Sequence, residues 1–454
     1  MPVATTGSEA ASPPDPLDPP TLLRSRGYLV LLVMSALIGV PVSAAAFGFL
    51  ALVDELQPLI YTDLPKSLGF DGTPPWWPLP LLAVGGLLVG LTVQYLPGHG
   101  GHEPTAGFKT AGAAKPIELP GIFFAALATL SFAAVLGPES PLLALGGGLA
   151  AGAVRMVKRD PPEQVSAVLG AAGSFAAISS LLGSPLLGAF LLMEASGLGG
   201  QMMALVLVPG LLAAGIGALV FVGLGSWTGL GTYSLALHDV PDATRPTAAE
   251  FGWALVIGLS AALVGVGIRW LAVRLKTHVE RRRVPATVVM GLVVAGLAIG
   301  YAEGTDKAAT DVLYSGQTAL DPLLTHSAAY SVGALLLLML CKGLAYCASL
   351  SSFRGGPIFP AMFLGAAGGI LFSHLPGLTL IAGFAMGIGA MSAAMLRLPL
   401  VSVLLATLLI GAQGVTVMPL VIVAVVVSYV ATAKLTPPPA PEPGQEPGPP
   451  RQQP

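Results

Sequence analysis

Glu139 stands in Gly137-Pro138-Glu139-Ser140-Pro141, ahead of a run of small and apolar residues that begins at Leu142. A carboxylate inside apolar sequence is costly unless it works. The Gly/Pro break beside it leaves backbone N–H groups and the positive end of a helix dipole without partners, and their natural partner is an anion. The Glu139 carboxylate can itself take the anion's place. A second break, Gly355-Gly356-Pro357-Ile358-Phe359-Pro360 ahead of Ala361, offers the amides of Ile358 and Phe359 in the same way. Pro357 brings no N–H. Paired broken helices in an apolar chain point to a site near the bilayer midplane. A plainer role for Glu139, as a helix N-cap, stays open at this level.

Other residues able to do chemistry are few. Gly101 and His102 lie in Gly100-Gly101-His102-Glu103-Pro104, where a backbone N–H or a ring nitrogen could meet an anion. His99 and His102 with Glu103 suggest metal ligation, but histidines three apart in a Gly loop lack a firm third and fourth ligand, so no metal is expected there. Arg354, just before the second break, either adds positive potential to a pathway or serves as a helix-end or cytoplasmic arginine. Glu194 reads as a structural group near a helix end or dimer contact. No Ser/His, paired-Asp or zinc-binding motif supports an enzyme, no cofactor is implied, and nothing suggests a nucleic-acid partner. Cys341 and Cys347, six residues apart in one apolar segment, cannot bridge along a helix.

Holding such groups in place requires membrane helices. The chain is 54% hydrophobic and 10% charged. Apolar stretches at 28–53, 79–96, 117–136, 251–273, 284–301, 327–347 and 415–430 are long enough to span a bilayer or nearly so, which predicts an all-α polytopic membrane protein; a β-barrel would need short alternating strands. Basic residues gather before the first span (Arg24, Arg26), after the first break (Arg155, Lys158, Arg159) and around Arg274 to Arg283. Acidic residues occupy the alternate connections, including Asp54, Glu55, Asp63 and Asp71. That asymmetry places both termini in the cytoplasm and the protein in the cell membrane.

Pro185-Leu186 and Pro399-Leu400 each follow a small-residue segment and open another, 214 residues apart; Pro141 and Pro360 of the two breaks lie 219 apart. At these offsets Gly173 aligns with Gly387 and Gly146 with Gly365. Two repeated, inverted helical halves with broken helices meeting at the midplane follow from this. The expected boundaries are a disordered Pro-rich tail at 1–22 without a cleaved signal, membrane repeats at 23–225 and 251–435 joined by an external loop at 226–250, and a second Pro-rich tail at 436–454 in place of a soluble regulatory domain.

These motifs resemble those of the CLC family of chloride channels and anion/proton antiporters. Gly100-Gly101-His102-Glu103-Pro104 stands where the family has Gly-Ser-Gly-Ile-Pro, Gly137-Pro138-Glu139-Ser140-Pro141 for Gly-Arg-Glu-Gly-Pro, and Gly356-Pro357-Ile358-Phe359-Pro360 for Gly-Ile-Phe-Ala-Pro. The resemblance, to a divergent prokaryotic branch, implies transport of chloride or similar small anions by a homodimer in the lipid bilayer. It makes Glu139 the gating and proton-handling residue, Gly101, His102, Ile358 and Phe359 the anion-binding set, and Arg354 a contributor to pathway electrostatics. Departures are specific. Pro138 replaces the family's arginine, Gly101 its serine ligand, and Ala195 the internal proton-transfer glutamate of the antiporters; the family's final-helix tyrosine has no counterpart. They lean the expectation toward a channel-like conduit, with a proton-coupled antiporter as the alternative. An intramembrane enzyme and a cation carrier are the readings from other classes.

Overall fold

The computed structural model describes residues 24–107, 114–197, 200–230, 235–237 and 240–437. The N-terminal tail, nearly all of the C-terminal one and part of the 226–250 connection lie outside the described residues. Fifteen main helices account for most of the rest. The first half comprises α1 (Arg26–Pro58), which continues through a π turn at Leu59–Asp63 to Ser67, then α2 (Pro78–Tyr95), α3 (Leu119–Ser131), α4 (Glu139–Val157), α5 (Glu163–Leu182), α6 (Pro185–Ser196) and α7 (Gly200–Thr228). The second comprises α8 (Ala248–Arg281), α9 (Arg283–Thr305), the short α10 (Leu320–Thr325), α11 (Val332–Ser352), α12 (Ile358–Ser373), α13 (Leu380–Leu396), α14 (Pro399–Leu409) and α15 (Ala412–Leu435). Nine helices among the described residues are long and apolar enough to cross a membrane, and no strand occurs among them. The chain is an all-α polytopic membrane protein.

Helix ends follow local chemistry. Ser25, Ser184 and Ser331 each accept a backbone N–H in the first turn of the helix they precede, and Thr247 with Glu250 forms a capping box on α8. Pro185 and Pro399 occupy first-turn positions, where a missing N–H costs nothing. Gly183 and Gly197 close α5 and α6 in the left-handed conformation. One apolar stretch, 117–136, reads as continuous in sequence, but α3 stops at Ser131. Beyond it Ala133 takes φ 65°, the Val135 N–H donates to Ser349 Oγ at 3.0 Å, and Ala133 O accepts from Tyr314 N at 3.1 Å. Long-range partners thus replace the helical ones, and the chain reaches Gly137 non-helical.

The two halves repeat one another in packing as well as in spacing. The helix pair α4–α5 crosses at Gly146 and Gly173, where a Cβ on Gly146 would lie 2.6 Å from the Gly173 carbonyl oxygen. Its counterpart α12–α13 crosses at Gly365 and Gly387, where a Cβ on Gly365 would lie 2.7 Å from the Gly387 carbonyl carbon and 2.8 Å from Met391 Cβ. Sequence alignment of the halves pairs these same glycines. In lipid, apolar side chains gain little by leaving their surroundings, so close backbone contact supplies the association, and only Gly permits it.

Gly365→Val therefore forces apart two backbones that have no flexible side chain to yield. The expected loss is about 2–3 kcal/mol or more, seen as a large fall in melting temperature or loss of the monodisperse peak in detergent. Gly296→Val, where an added Cβ meets nothing within 4 Å, leaves both unchanged.

Candidate functional site

Glu139 is the first residue of α4 and is completely buried. Its Oε1 accepts a short hydrogen bond from the Ile358 N–H, and Ile358 is the first residue of α12. The backbone amides of Phe359 and of Glu139 itself also face the carboxylate. Two helix N-termini from opposite halves thus converge on one carboxylate, each with unpaired N–H groups and the positive end of its dipole turned toward it. Glu139 Oε2 has no hydrogen-bond partner among the described residues.

A two-way backbone bridge sets this convergence: Gly137 N donates to Gly356 O at 2.8 Å, and Gly356 N to Gly137 O at 2.6 Å, in antiparallel sense. Both positions require glycine. A Cβ on Gly137 would lie 2.8 Å from Phe359 Cδ2 and 2.9 Å from Glu139 Cδ, and one on Gly356 would run into the Glu139 carboxyl group. Pro138 and Pro357 adopt φ −82° and −92° as N-cap residues, so each break starts its helix without spending an amide. Ile358 keeps its donor, and Pro357 instead uses its carbonyl, which accepts from Tyr346 Oη at 2.8 Å.

Tyr346 is a residue that sequence reading passed over. It is fully buried on α11, and its hydroxyl reaches the second break at Pro357. Tyr429, the only tyrosine of the last helix, is 38% exposed. Lys342, one turn earlier on α11, was missed too. It is completely buried, and its Nζ donates to the carbonyls of Asp311 (2.9 Å), Leu313 (3.1 Å), Val312 (3.2 Å) and Tyr314 (3.4 Å) while lying 4.3 Å from the centre of the Phe363 ring. A lysine in apolar sequence was the available signal; its four carbonyl partners lie about 30 residues away.

The Gly100 to Pro104 segment forms a separate cluster around Arg354, which is 4% exposed. Arg354 Nε donates to His99 O at 3.1 Å, its Nη2 lies 3.6 Å from Glu103 Oε1, and its N–H donates to Thr129 Oγ1 at 3.2 Å. Glu103 Oε2 takes a short ion pair from Lys276, which also lies 3.5 Å from Glu280. Burial works against the Glu103 charge, yet the Lys276 hydrogen bond and the Arg354, Lys276 and Arg283 charges outweigh it and hold the carboxyl below its ordinary range. His102 Nε2 lies 2.7 Å from Gly107 O, and a Cβ on Gly101 would meet Ile122. The described contacts bring Ile358 and Phe359 to Glu139; those of Gly101 and His102 run to their own loop and α3, and those of Arg354 to the loop, α3 and its neighbour Phe353. Glu194 caps α14, accepting from Leu400 N at 3.0 Å and Val401 N at 2.8 Å.

Comparison with known proteins covers most of the chain. The sequence profile of the family described as voltage gated chloride channel matches residues 85–433. A protein named for ion transport, YfeO of Salmonella paratyphi A, is 28% identical over 358 residues, 77% of this chain and 81% of its own; YfeO of Salmonella typhimurium matches to the same extent. Among solved structures, a slow cyanobacterial Cl−/H+ antiporter superposes with TM-score 0.71 at 17% identity, covering 89% of this chain and 94% of its own. A CLC-type fluoride/proton antiporter gives 0.65 at 18% identity, with 89% and 96% covered. These likenesses establish the fold.

Two outcomes follow from the charged groups around the site. Lys342→Met strips the donor from four inward carbonyls and lowers stability by about 2–3 kcal/mol, read as a drop in melting temperature in detergent. Because the Glu103 carboxyl is lowered in the folded state, its contribution is present above its unfolded pKa and lost as pH falls through the folded value. With its side chain about one-third exposed, solvent screening limits this to about 1 kcal/mol or less. Wild type therefore loses more of its melting temperature than Glu103→Gln on going from about pH 6 to about pH 3.

Proposed function

The chain belongs to the voltage gated chloride channel family, and from that premise we propose that it carries chloride or similar small anions across the cell membrane by a path that Glu139 closes. One observation carries the reading: a completely buried carboxylate occupies the meeting point of two helix N-termini, with Ile358 N–H bound to one oxygen and no partner on the other among the described residues. An anion arriving there competes with the carboxylate for the same amides. When Glu139 is displaced or takes up a proton, the Ile358 and Phe359 N–H groups are released to the anion. Partial charges of amides and dipoles hold a halide loosely enough for it to leave again, whereas full cations would trap it. The proposal keeps Arg354, which braces the Gly100 to Pro104 loop through His99 O and Glu103, as a contributor to pathway electrostatics, and Gly101 and His102 as further anion contacts.

The channel-like form of the proposal rests on Ala195, which puts a methyl group where antiporters of the family carry a second proton-transfer glutamate. A proton-coupled exchanger is the second reading, favoured by two proteins of the same fold, a Cl−/H+ and a fluoride/proton antiporter. Among the described residues the groups that contact Glu139 are backbone amides rather than a nucleophile, a base and an orienting group, which supports transport over catalysis. The proposal includes a homodimer with one path per subunit and both termini in the cytoplasm; the family and the charge asymmetry of the loops support these.

Anion efflux from liposomes with valinomycin clamping the voltage and external pH recorded tests the reading. Wild type is expected to release chloride without opposing proton movement, and Glu139→Gln, which keeps the shape and loses the charge, to release it faster and with weaker pH dependence. Opposing proton movement abolished in Glu139→Gln establishes the exchanger instead. Folded protein that moves none of chloride, fluoride or nitrate overturns the proposal.

A further inference from the structure

Pro138, the residue before Glu139, forms part of the wall of a cavity of about 80 Å³. Asp54 and Gln57 line it from one face of α1, three residues apart and so side by side on the helix. Tyr314, Ser315 and Gln317 line it from the segment that Lys342 pins at the carbonyl of Tyr314. Several of these polar groups are already engaged with the walls. Gln57 Nε2 donates to Leu130 O at 3.1 Å, and Ser315 Oγ accepts from Gln317 N at 3.3 Å. Asp54 is exposed, has no partner in the described hydrogen bonds or ion pairs, and is the one charged residue among those lining the cavity. A recess whose lining is half polar and half apolar, with room for several waters and backed by the residue adjoining the buried carboxylate, is a natural stopping place for an ion about to enter. It lies at the end of α1 opposite Arg24 and Arg26, the end assigned to the outside by the charge asymmetry.

We propose that this cavity is the outer antechamber of the Glu139 path and that Asp54 is a rim charge that selects entering anions by valence, favouring monovalent ones. The inference rests on the anion-transport reading above and deepens it. At about 7 Å in water a fixed negative charge repels a monovalent anion by roughly the thermal energy, which lowers its local concentration about threefold, and a divalent anion by the square of that factor, about ninefold. Screening removes the effect at high salt, since the Debye length falls from about 30 Å at 0.01 M to about 3 Å at 1 M. The charge thus costs some chloride entry and excludes sulfate-like ions more strongly.

The test measures initial chloride uptake into liposomes of one orientation-sorted preparation, at about 0.01 M and about 1 M ionic strength, with external sulfate as competitor. Asp54→Asn is expected to take up chloride about threefold faster than wild type at low salt and equally fast at high salt, and to be inhibited by sulfate at concentrations about ninefold lower at low salt. Asp54→Glu, which keeps the charge, stays at the wild-type rate. Glu55→Gln removes an exposed carboxylate one residue along, about 100° round the helix and outside the cavity lining, and has the smaller effect. Uptake and sulfate inhibition in Asp54→Asn that match wild type at both ionic strengths, or that change no more than in Glu55→Gln, overturn the inference while leaving anion transport intact. Absence of wild-type uptake overturns the transport reading itself.

Discussion

A carboxylate buried with no ion-pair partner among the described residues is the constraint on which the rest of this structure depends. Glu139 can lie at zero exposure because two helices begin against it and because the Gly137–Gly356 bridge holds those beginnings at hydrogen-bonding distance. Neither helix alone would suffice: one N-terminus brings amides that water or a local cap would also satisfy. Two, from opposite halves of the chain, make a pocket whose natural occupant is negative. The carboxylate is the occupant that the protein carries with it.

The buried cations have other partners. Lys342 spends its charge on four carbonyls and the face of Phe363, and Arg354 spends its own on His99 O and Glu103, which Lys276 also holds. The groups that contact Glu139 are instead backbone amides. An electropositive interior built from dipoles, with full charges used to brace loops around it, suits weak and reversible anion contact better than an arginine in the pocket would.

Small residues make the convergence mechanically feasible. Gly146 with Gly173 and Gly365 with Gly387 bring α4 against α5 and α12 against α13 at backbone contact, so each broken helix is backed by a close-packed partner. Rigid backing matters because the breaks themselves are short of local hydrogen bonds; without it, the amides facing Glu139 would turn to whatever partner was nearest.

Much of this was legible from sequence for a physical reason: bilayer thickness and Gly/Pro backbone chemistry act locally, so spans, breaks and the two-fold repeat leave marks in composition and spacing. Glu139, Ile358 and Phe359 could be picked out because each sits at a break. What sequence could not determine was which groups meet across hundreds of residues. The end of α3 at Ser131 depends on Ser349 and on Tyr314; Tyr346 looked like an ordinary member of an apolar helix until Pro357 came to it, and Lys342, though marked as a charge in apolar sequence, showed no partner until the 311–314 carbonyls came to it. The Gly101 and His102 loop, marked by the same kind of Gly/Pro signal as the breaks, makes its described contacts elsewhere, because Arg354, Glu103 and Lys276 decide where it sits. Local chemistry thus determined the parts, and long-range pairing, invisible to any window of sequence, decided which of them share a site.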